Sequence, residues 1–200
     1  MTARKNNRGR ISREAGFSLV ELLITMIIIV IVTAIAIPNF MRMYRAYQLD
    51  DVASQVAGVI KVTRFEAVRR NMQVNCKIVT SGASPATTQI WTDSNGNGAV
   101  DSTEKQIVLN GIANLVPSST PPGTTALATA IGASTLTAVS LSAGTITFDP
   151  RGAVSPAAVY VLYVGNLSIP DAGYRAVILL PSGSVQVWTA SAAGDWHLLG

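Results

Sequence analysis

Twelve residues near the middle of the chain have the oxygen-rich spacing of a calcium-binding loop. Residues 93–104 read DSNGNGAVDSTE and match the pattern D-x-[DN]-x-[DN]-G-x5-E at every specified position. Calcium takes about six to eight oxygen ligands, and the glycine in the pattern, here Gly98, permits a sharp turn. The candidate ligands are the side chains of Asp93, Asn95, Asn97, Asp101 (through a water) and Glu104, with the carbonyl oxygen of Ala99.

The residues that flank this loop leave two interpretations open. Trp91 before it and 107–109 after it are typical of β-strands, so the loop does not join two helices. It could bind calcium, with weak affinity because only three carboxylates are present. It could equally be a polar hairpin loop whose two Asn-Gly pairs supply positive φ angles. Calcium is thus a candidate cofactor, and no other cofactor is expected.

A single carboxylate lies inside a run of residues that is otherwise suited to lipid. Glu21 is the only ionisable residue among the 21 residues from Phe17 to Ile37. A helix needs about 20 apolar residues to cross a bilayer core, so residues 17–37 predict a transmembrane helix. A charge buried there costs roughly 2.5 kcal/mol or more on insertion scales. Glu21 therefore requires a partner or a function.

The residues before this run are basic and end in a small residue. The basic residues are Arg4, Lys5, Arg8, Arg10 and Arg13. They predict that residues 1–15 stay in the cytoplasm and that the C-terminal part is exported. In a secretory signal peptide, small residues and the cleavage site follow a shorter apolar segment. Here Gly16 precedes the apolar run, so cleavage after it would remove a leader, residues 1–16, and leave the span attached.

Residues 16–22, Gly-Phe-Ser-Leu-Val-Glu-Leu, resemble the class III leader motif of type IV pilins and pseudopilins. The resemblance implies that a prepilin peptidase cleaves after Gly16 and that Phe17 becomes an N-methylated N-terminus. It also implies that Glu21 meets the N-terminal amine of Phe17 of a neighbouring subunit during assembly. Such pairing would reduce the cost of two charges in lipid. Pro38 stands where the family has a helix-kinking proline. A plain membrane anchor that never assembles is the alternative.

Behind the span, the sequence predicts that the helix continues and that a β-rich head follows. After Pro38, residues up to 70 include no further proline and only one glycine, and their apolar residues recur at helical spacing. We therefore expect a periplasmic amphipathic helix over 38–70, kinked near Pro38. Residues 71–200 alternate β-rich runs with turns and predict a globular head. The predicted strands are 74–80, 88–92, 106–109, 144–148, 159–164, 174–180 and 184–189.

The expected fold class is therefore α+β, with a long N-terminal helix packed on a C-terminal antiparallel β-sheet or β-sandwich-like head. The pilin resemblance implies the same fold. Residues 117–143 have no charged side chain and are rich in Ser, Thr, Ala, Gly and Pro. We expect a surface loop or a partly disordered insertion there. Leu127, Ile131, Leu136 and Val139 still allow a short packed element.

The order of features in the head is similar to that of the GspH/FimT group of minor pseudopilins. These features are Val68-Arg69-Arg70-Asn71, Trp91, the Asp/Asn/Gly turn and Ile146-Thr147-Phe148-Asp149-Pro150-Arg151-Gly152. The resemblance implies a structural subunit of a type II secretion pseudopilus or a type IV pilus. Its partners would be prepilin peptidase, other pilin or pseudopilin subunits and an inner-membrane assembly platform. It would cross the bacterial inner membrane once, with a periplasmic head, before it enters a filament.

The net charge gives little support to nucleic-acid binding. The formal charge of +4 comes from 15 basic and 11 acidic residues, and without the leader ten of each remain. One branch of the group binds DNA through a Gly-Arg-x-Arg stretch near the C-terminus, but the matching residues 182–186 here contain no arginine. The basic residues between 42 and 70 are simply explained as a solvated helix face with subunit contacts. A DNA- or ligand-binding subunit remains an alternative, although a basic footprint is missing.

Residues for enzymatic chemistry are scarce. His197 is the only histidine and Cys76 the only cysteine, so no nucleophile with a base and an orienting acid can be assembled from the sequence. We expect no enzymatic activity. A lone cysteine forms no disulfide within the chain, and we expect Cys76 to be buried. The three tryptophans are expected to be core or interface anchors.

Overall fold

The computed structural model describes residues 17–82, 86–166 and 168–199, and Gly16 with its expected cleavage site lies outside them. Within these residues the helices are α1 (Leu19–Arg70) and α2 (Thr124–Ala130), with a 3-10 turn at Pro170–Ala172. The strands are β1 (Val74–Ser81), β2 (Thr87–Asp93), β3 (Gln106–Leu109), β4 (Asn114–Val116), β5 (Thr137–Ala138), β6 (Gly144–Phe148), β7 (Val154–Ser155), β8 (Tyr160–Gly165), β9 (Tyr174–Leu179), β10 (Val185–Ala190) and β11 (Trp196–Leu199). The chain divides into two compact units, residues 1–41 and 42–200.

The described part of the first unit is the apolar portion of α1. An 18-residue window of this helix has a mean hydropathy of 2.9, and none of it is buried inside the protein. The hydroxyls of Thr25 and Thr33 donate to the carbonyls of Leu22 and Ile29, at 2.8 and 2.7 Å, so they present no unpaired donor to lipid. Length and composition make this helix long and apolar enough to cross a membrane.

The second unit begins within α1, whose C-terminal end is closed by a left-handed residue. Asn71 has φ 51°, and its N–H donates to the carbonyl of Val68 at 3.3 Å. The N–H of Met72 donates to the carbonyl of Ala67 at 3.2 Å, which completes a Schellman motif. Asparagine tolerates this conformation better than most residues do. The helix thus ends at Arg70, as the sequence predicts.

Two antiparallel sheets form the head. The first has the strand order β3-β2-β1-β6-β7, and the second has the order β11-β10-β9-β8-β4. The short strand β5 pairs with β8 in parallel and is the exception to the antiparallel arrangement among the described strands. All seven predicted strands are present within one or two residues of their predicted ends. The prediction did not include the short strands β4, β5 and β7 or the C-terminal strand β11.

One core joins α1 to both sheets. Buried residues of the helix recur every three or four positions, which places them on one face. They pack with inward-facing residues of the first sheet, such as Ile78 and Phe148, and of the second, such as Leu162 and Val177. This arrangement confirms the predicted α+β fold, with the helix packed on antiparallel sheets.

The insertion at 117–143 covers the other side of the second sheet. The prediction of a surface loop is wrong for residues 124–130, which form α2, whereas the allowance for a short packed element is confirmed. Leu127 is fully buried in a second cluster with Tyr163, Ile178 and Trp196. Because β8 and β9 contribute apolar residues to both clusters, the sheet needs cover on both faces, and the insertion supplies part of it.

Candidate functional site

Glu21 lies in the first turn of α1, and its side chain is exposed. A carboxylate in that position interacts favourably with the N-terminal end of the helix dipole. Among the described residues, the ion pairs are Glu66–Arg69, Glu66–Arg70 and Asp50–Arg175, and Glu21 takes part in none of them. A charged partner for Glu21 would therefore have to come from outside the described residues or from another molecule.

Two other residues predicted to take part in processing or assembly lie in the same unit. Phe17, the expected new N-terminus, is 76% exposed and precedes the first helical residue by two positions. Pro38 lies inside α1, where its ring removes one backbone donor. Glu21 and Phe17 are four residues apart, close to one turn of a helix.

The loop between β2 and β3 buries two carboxylates at its ends. Asp93 is 2% exposed and Glu104 is 8% exposed. Glu104 accepts the backbone N–H of Ser94 on Oε1 at 2.8 Å and that of Asp101 on Oε2 at 3.3 Å. Asp93 Oδ2 accepts the N–H of Gly98 at 3.2 Å. The first and twelfth residues of the calcium pattern therefore both turn inward and hold the loop closed.

In the middle of the loop, the hydrogen bonds are made by two asparagine side chains. Oδ2 of Asp101 accepts the side-chain N–H groups of Asn95 at 2.5 Å and Asn97 at 3.0 Å. The Oδ1 atoms of the two asparagines accept the backbone N–H groups of Asn97 and Ala99, at 3.0 and 2.8 Å. In the part of the chain that the structure describes, no group of three or more His, Cys, Asp or Glu side chains is placed to hold a metal. A cation in this loop would therefore depend on amide and carbonyl oxygens as well as carboxylates.

The hairpin interpretation of the loop also has structural support. Gly96 and Gly98 have φ angles of 74° and 72°, as expected for the two Asn-Gly pairs. β2 and β3 pair antiparallel on either side of the loop, with Trp91 opposite Gln106. The two interpretations are compatible, because a hairpin loop with this turn geometry can also present oxygens to an ion.

The end of α1 contacts this loop. Arg70 donates from Nη1 to the carbonyl of Ser94 at 3.2 Å. Arg69 and Arg70 also bind the carboxylate of Glu66, at 2.7 and 2.9 Å. The hydrogen bonds from Arg69 and Arg70, with the positive charge of both, hold the pKa of Glu66 below its usual value, against a smaller opposing effect of burial. These two arginines are therefore partly neutralised within the helix.

An ion pair between a buried arginine and a half-buried aspartate joins α1 to the second sheet. Arg175 in β9 donates from Nε to Oδ1 of Asp50 at 2.5 Å. Its other nitrogens donate to the carbonyls of Tyr174 at 3.1 Å and Ala46 at 3.4 Å. Sequence reasoning missed this contact. The available signal was a single arginine within an otherwise apolar predicted strand.

The turn at 182–186, compared above with a DNA-binding stretch, is closely packed. Gly183 has φ 81°, and a Cβ there would overlap the carbonyl oxygen of Gly152. Arg64 donates from Nε to that same carbonyl at 3.0 Å. The close approach requires glycine at 183. Because Arg64 of α1 already donates to a carbonyl of the head, its guanidinium is less available to bind a phosphate.

The lone cysteine, the lone histidine and two of the tryptophans lie away from both candidate sites or in the core. Cys76 is fully buried in β1, as predicted, and burial raises the pKa of its thiol to about 12. His197 lies exposed on β11, paired with Thr189. Trp91 and Trp196 are buried, so they serve as core residues.

Comparison with known proteins gives two family matches. A family model described as type II transport protein GspH matches residues 52–183. A second, described as the prokaryotic N-terminal methylation motif, matches residues 11–37. A search of curated proteins gave no match. Among solved structures, the type IV minor pilin FimU of Pseudomonas aeruginosa is similar at 12% sequence identity, with 77% of this chain and 90% of that chain covered and a TM-score of 0.34.

Proposed function

This chain belongs to the GspH family, and we propose that it is a minor pilin or pseudopilin subunit that assembles into a type IV pilus or a type II secretion pseudopilus. The family model covers about two thirds of the chain, and the methylation motif covers the N-terminal segment that contains Gly16, Phe17 and Glu21. We infer that prepilin peptidase cleaves after Gly16 and that Phe17 is then N-methylated.

The observation that carries this proposal is the N-terminal methylation motif on an apolar segment, residues 17–37, whose only ionisable residue is Glu21. Cleavage after Gly16 would create a positive amine at Phe17, next to a segment that prefers lipid. Two opposite charges about 4 Å apart attract each other by about 4 kcal/mol at an effective dielectric constant near 20, and more strongly in hydrocarbon. Since Glu21 has no ion-pair partner among the described residues, the amine of Phe17 on a neighbouring subunit is the partner that we propose.

The proposed surroundings follow from this assignment. The single apolar N-terminal helix fits a protein anchored in the membrane by one span. We propose that this membrane is the bacterial inner membrane, with the N-terminus in the cytoplasm and the head in the periplasm before assembly. Other pilin or pseudopilin subunits and an inner-membrane assembly platform are the proposed partners. The work of the chain would then be structural.

Replacing Glu21 tests the assembly function separately from processing. In cells that express the complete machine, Glu21→Ala should be cleaved after Gly16 at the wild-type rate, because the cleavage site is unchanged. Its recovery in sheared filament fractions should fall at least tenfold. Thr25→Val is the matched control. It also removes a polar group one turn further along, but that hydroxyl is already satisfied by the carbonyl of Leu22, so incorporation should persist.

Mass spectrometry of the mature N-terminus distinguishes the alternatives. We expect a chain that begins at N-methylated Phe17. A chain that still begins at Met1 would instead support a plain membrane anchor. Normal filament incorporation of Glu21→Ala would refute the pairing proposed for this carboxylate, even if processing occurs as expected.

A further inference from the structure

The loop formed by residues 93–104, here named the cation loop, contains a buried carboxylate oxygen without a partner. Asp93 is 2% exposed, and its Oδ1 has no hydrogen-bond partner among the described residues. A buried acceptor left unpaired costs about 1–3 kcal/mol, and more for a charged group. Native proteins keep few such atoms, and those that they keep often contact a bound ion or an ordered water.

One oxygen of the Asp93 carboxylate is already engaged by the loop. This oxygen, Oδ2, accepts the N–H of Gly98 at the centre of the loop. The group is therefore held with one oxygen bound to the loop backbone and the other free beside it. Glu104 and Asp101 both accept hydrogen bonds within the loop, whereas the buried Oδ1 of Asp93 accepts none among the described residues.

Other residues of the cation loop also carry oxygens that could bind a cation. Glu104 is 8% exposed. Its Oε2 accepts one backbone N–H and keeps a second lone pair, whereas its Oε1 accepts both the backbone N–H and the hydroxyl of Ser94. Oδ1 of Asn95 and Oδ1 of Asn97 each accept one backbone N–H and likewise keep a second lone pair. The side-chain nitrogens of both asparagines donate to Asp101, so their Oδ1 atoms must lie on the opposite side of each amide group.

We propose that the cation loop binds one calcium ion, with Asp93 and Glu104 as its carboxylate ligands and the oxygens of Asn95, Asn97 and Ala99 completing the site. Calcium suits this donor set better than magnesium does, because calcium accepts many oxygen ligands in flexible geometry, whereas magnesium demands a near-ideal octahedron. With few carboxylates, we expect a dissociation constant of about 10⁻⁴–10⁻³ M, the range of extracellular calcium modules.

A bound water is the competing explanation for the free oxygen. Nε1 of Trp91 is also buried without a partner among the described residues. Trp91 lies two residues before Asp93 on β2, so both side chains are on the same face of the strand. A water that accepts from Trp91 and donates to Asp93 would satisfy both atoms with no cation. Only the calcium explanation predicts that added calcium binds to the protein and raises its unfolding temperature.

Calcium binding can be measured on the full chain in a non-ionic detergent. The protein is stripped with a chelator and titrated with CaCl2 in a calorimeter, and its thermal unfolding is followed by tryptophan fluorescence with and without calcium. We expect one saturable site per chain and a rise in the unfolding temperature that the chelator reverses. Asp93→Asn should weaken binding at least tenfold, since it keeps the acceptor for Gly98 but removes the charge. Glu104→Gln should weaken it similarly.

Asp149→Asn is the matched control. Asp149 also accepts two backbone N–H groups in a turn, from Arg151 and Ala153, but it lies outside the cation loop. Calcium affinity in this variant should match that of the wild type. The proposal is overturned if the wild-type chain shows no saturable calcium binding up to about 10 times the upper dissociation constant expected for such sites. It is equally overturned if folded Asp93→Asn and Glu104→Gln bind as the wild type does. Filament assembly is not part of this test, so its outcome is independent of the proposed function.

Discussion

The ion pair between Asp50 and Arg175 should be energetically asymmetric, because its two members are buried to different extents. The Arg175 side chain is 6% exposed, whereas that of Asp50 is 35% exposed. Removing one partner of a buried pair costs about 3–5 kcal/mol when the remaining charge is buried. Asp50→Ala leaves the guanidinium of Arg175 buried and without its anion. Arg175→Met leaves Asp50, which water can partly solvate.

The remaining contacts of Arg175 set the expected magnitudes. In Asp50→Ala the guanidinium still donates to the carbonyls of Tyr174 and Ala46. The free energy of unfolding should therefore fall by about 3 kcal/mol, near the lower limit. In Arg175→Met the apolar replacement fills much of the same volume, and we expect a loss of about 1–2 kcal/mol. The double variant should be no less stable than Asp50→Ala alone, since no unpaired buried charge remains.

Urea unfolding of the full chain in detergent, followed by tryptophan fluorescence, measures these differences. Trp91, Trp188 and Trp196 all lie in the head, so the signal reports on the unit that contains the ion pair. Lys61→Met is the control: it removes an exposed charge from the same helix and should change stability by no more than about 0.5 kcal/mol. If Arg175→Met proves more destabilising than Asp50→Ala, the reasoning from burial is refuted.

Two further predictions concern the buried cysteine and the insertion. Because burial raises the pKa of Cys76 from an ordinary value of 9.0 to about 12, its contribution to folding is complete below pH 9 and is lost as the pH rises towards 12. The urea midpoint should therefore fall less between pH 8.5 and about 10.5 in Cys76→Ala than in the wild type, and an equal fall in both would contradict this assignment. Leu127→Ala should cost about 2–5 kcal/mol because the side chain is fully buried. The same change at Leu198, which is 54% exposed, should cost about 0.5 kcal/mol or less, and equal losses at both positions would argue against a packed insertion.

The sequence predicted those parts of the molecule that depend on local patterns. The end of α1 at Arg70 and seven strands follow from periodicity and turn residues, and the family matches confirm the resemblance to the GspH/FimT group. The short strands β4, β5 and β7 have two or three residues each, so pairing with distant strands decides them. The sequence allowed a packed element here but did not predict the helix α2, because its sequence, TTALATA, has three β-branched residues and one large apolar side chain.

The candidate sites likewise divide into those that a local sequence pattern reveals and those that depend on contacts between distant residues. Glu21 and the cation loop could be proposed as sites from the sequence because their motifs are contiguous. The contact between Asp50 and Arg175 joins residues 125 positions apart, and no local pattern specifies it. Similarly, the free oxygen of Asp93 depends on how β2 is buried, and only the folded arrangement reveals it.

The turn at Asn71 limits how the length of this chain can vary. Only three residues separate α1 from β1, and β1 lies in the middle of the first sheet, with Val74, Cys76 and Ile78 facing the core. One inserted residue would have to be absorbed in the turn, or it would exchange the inward and outward faces of β1. It would also break the hydrogen bonds that close the helix. The short turn thus fixes the register of β1 relative to the end of α1. Length variation among homologues should therefore occur in segments such as 117–143 and be absent between 70 and 74.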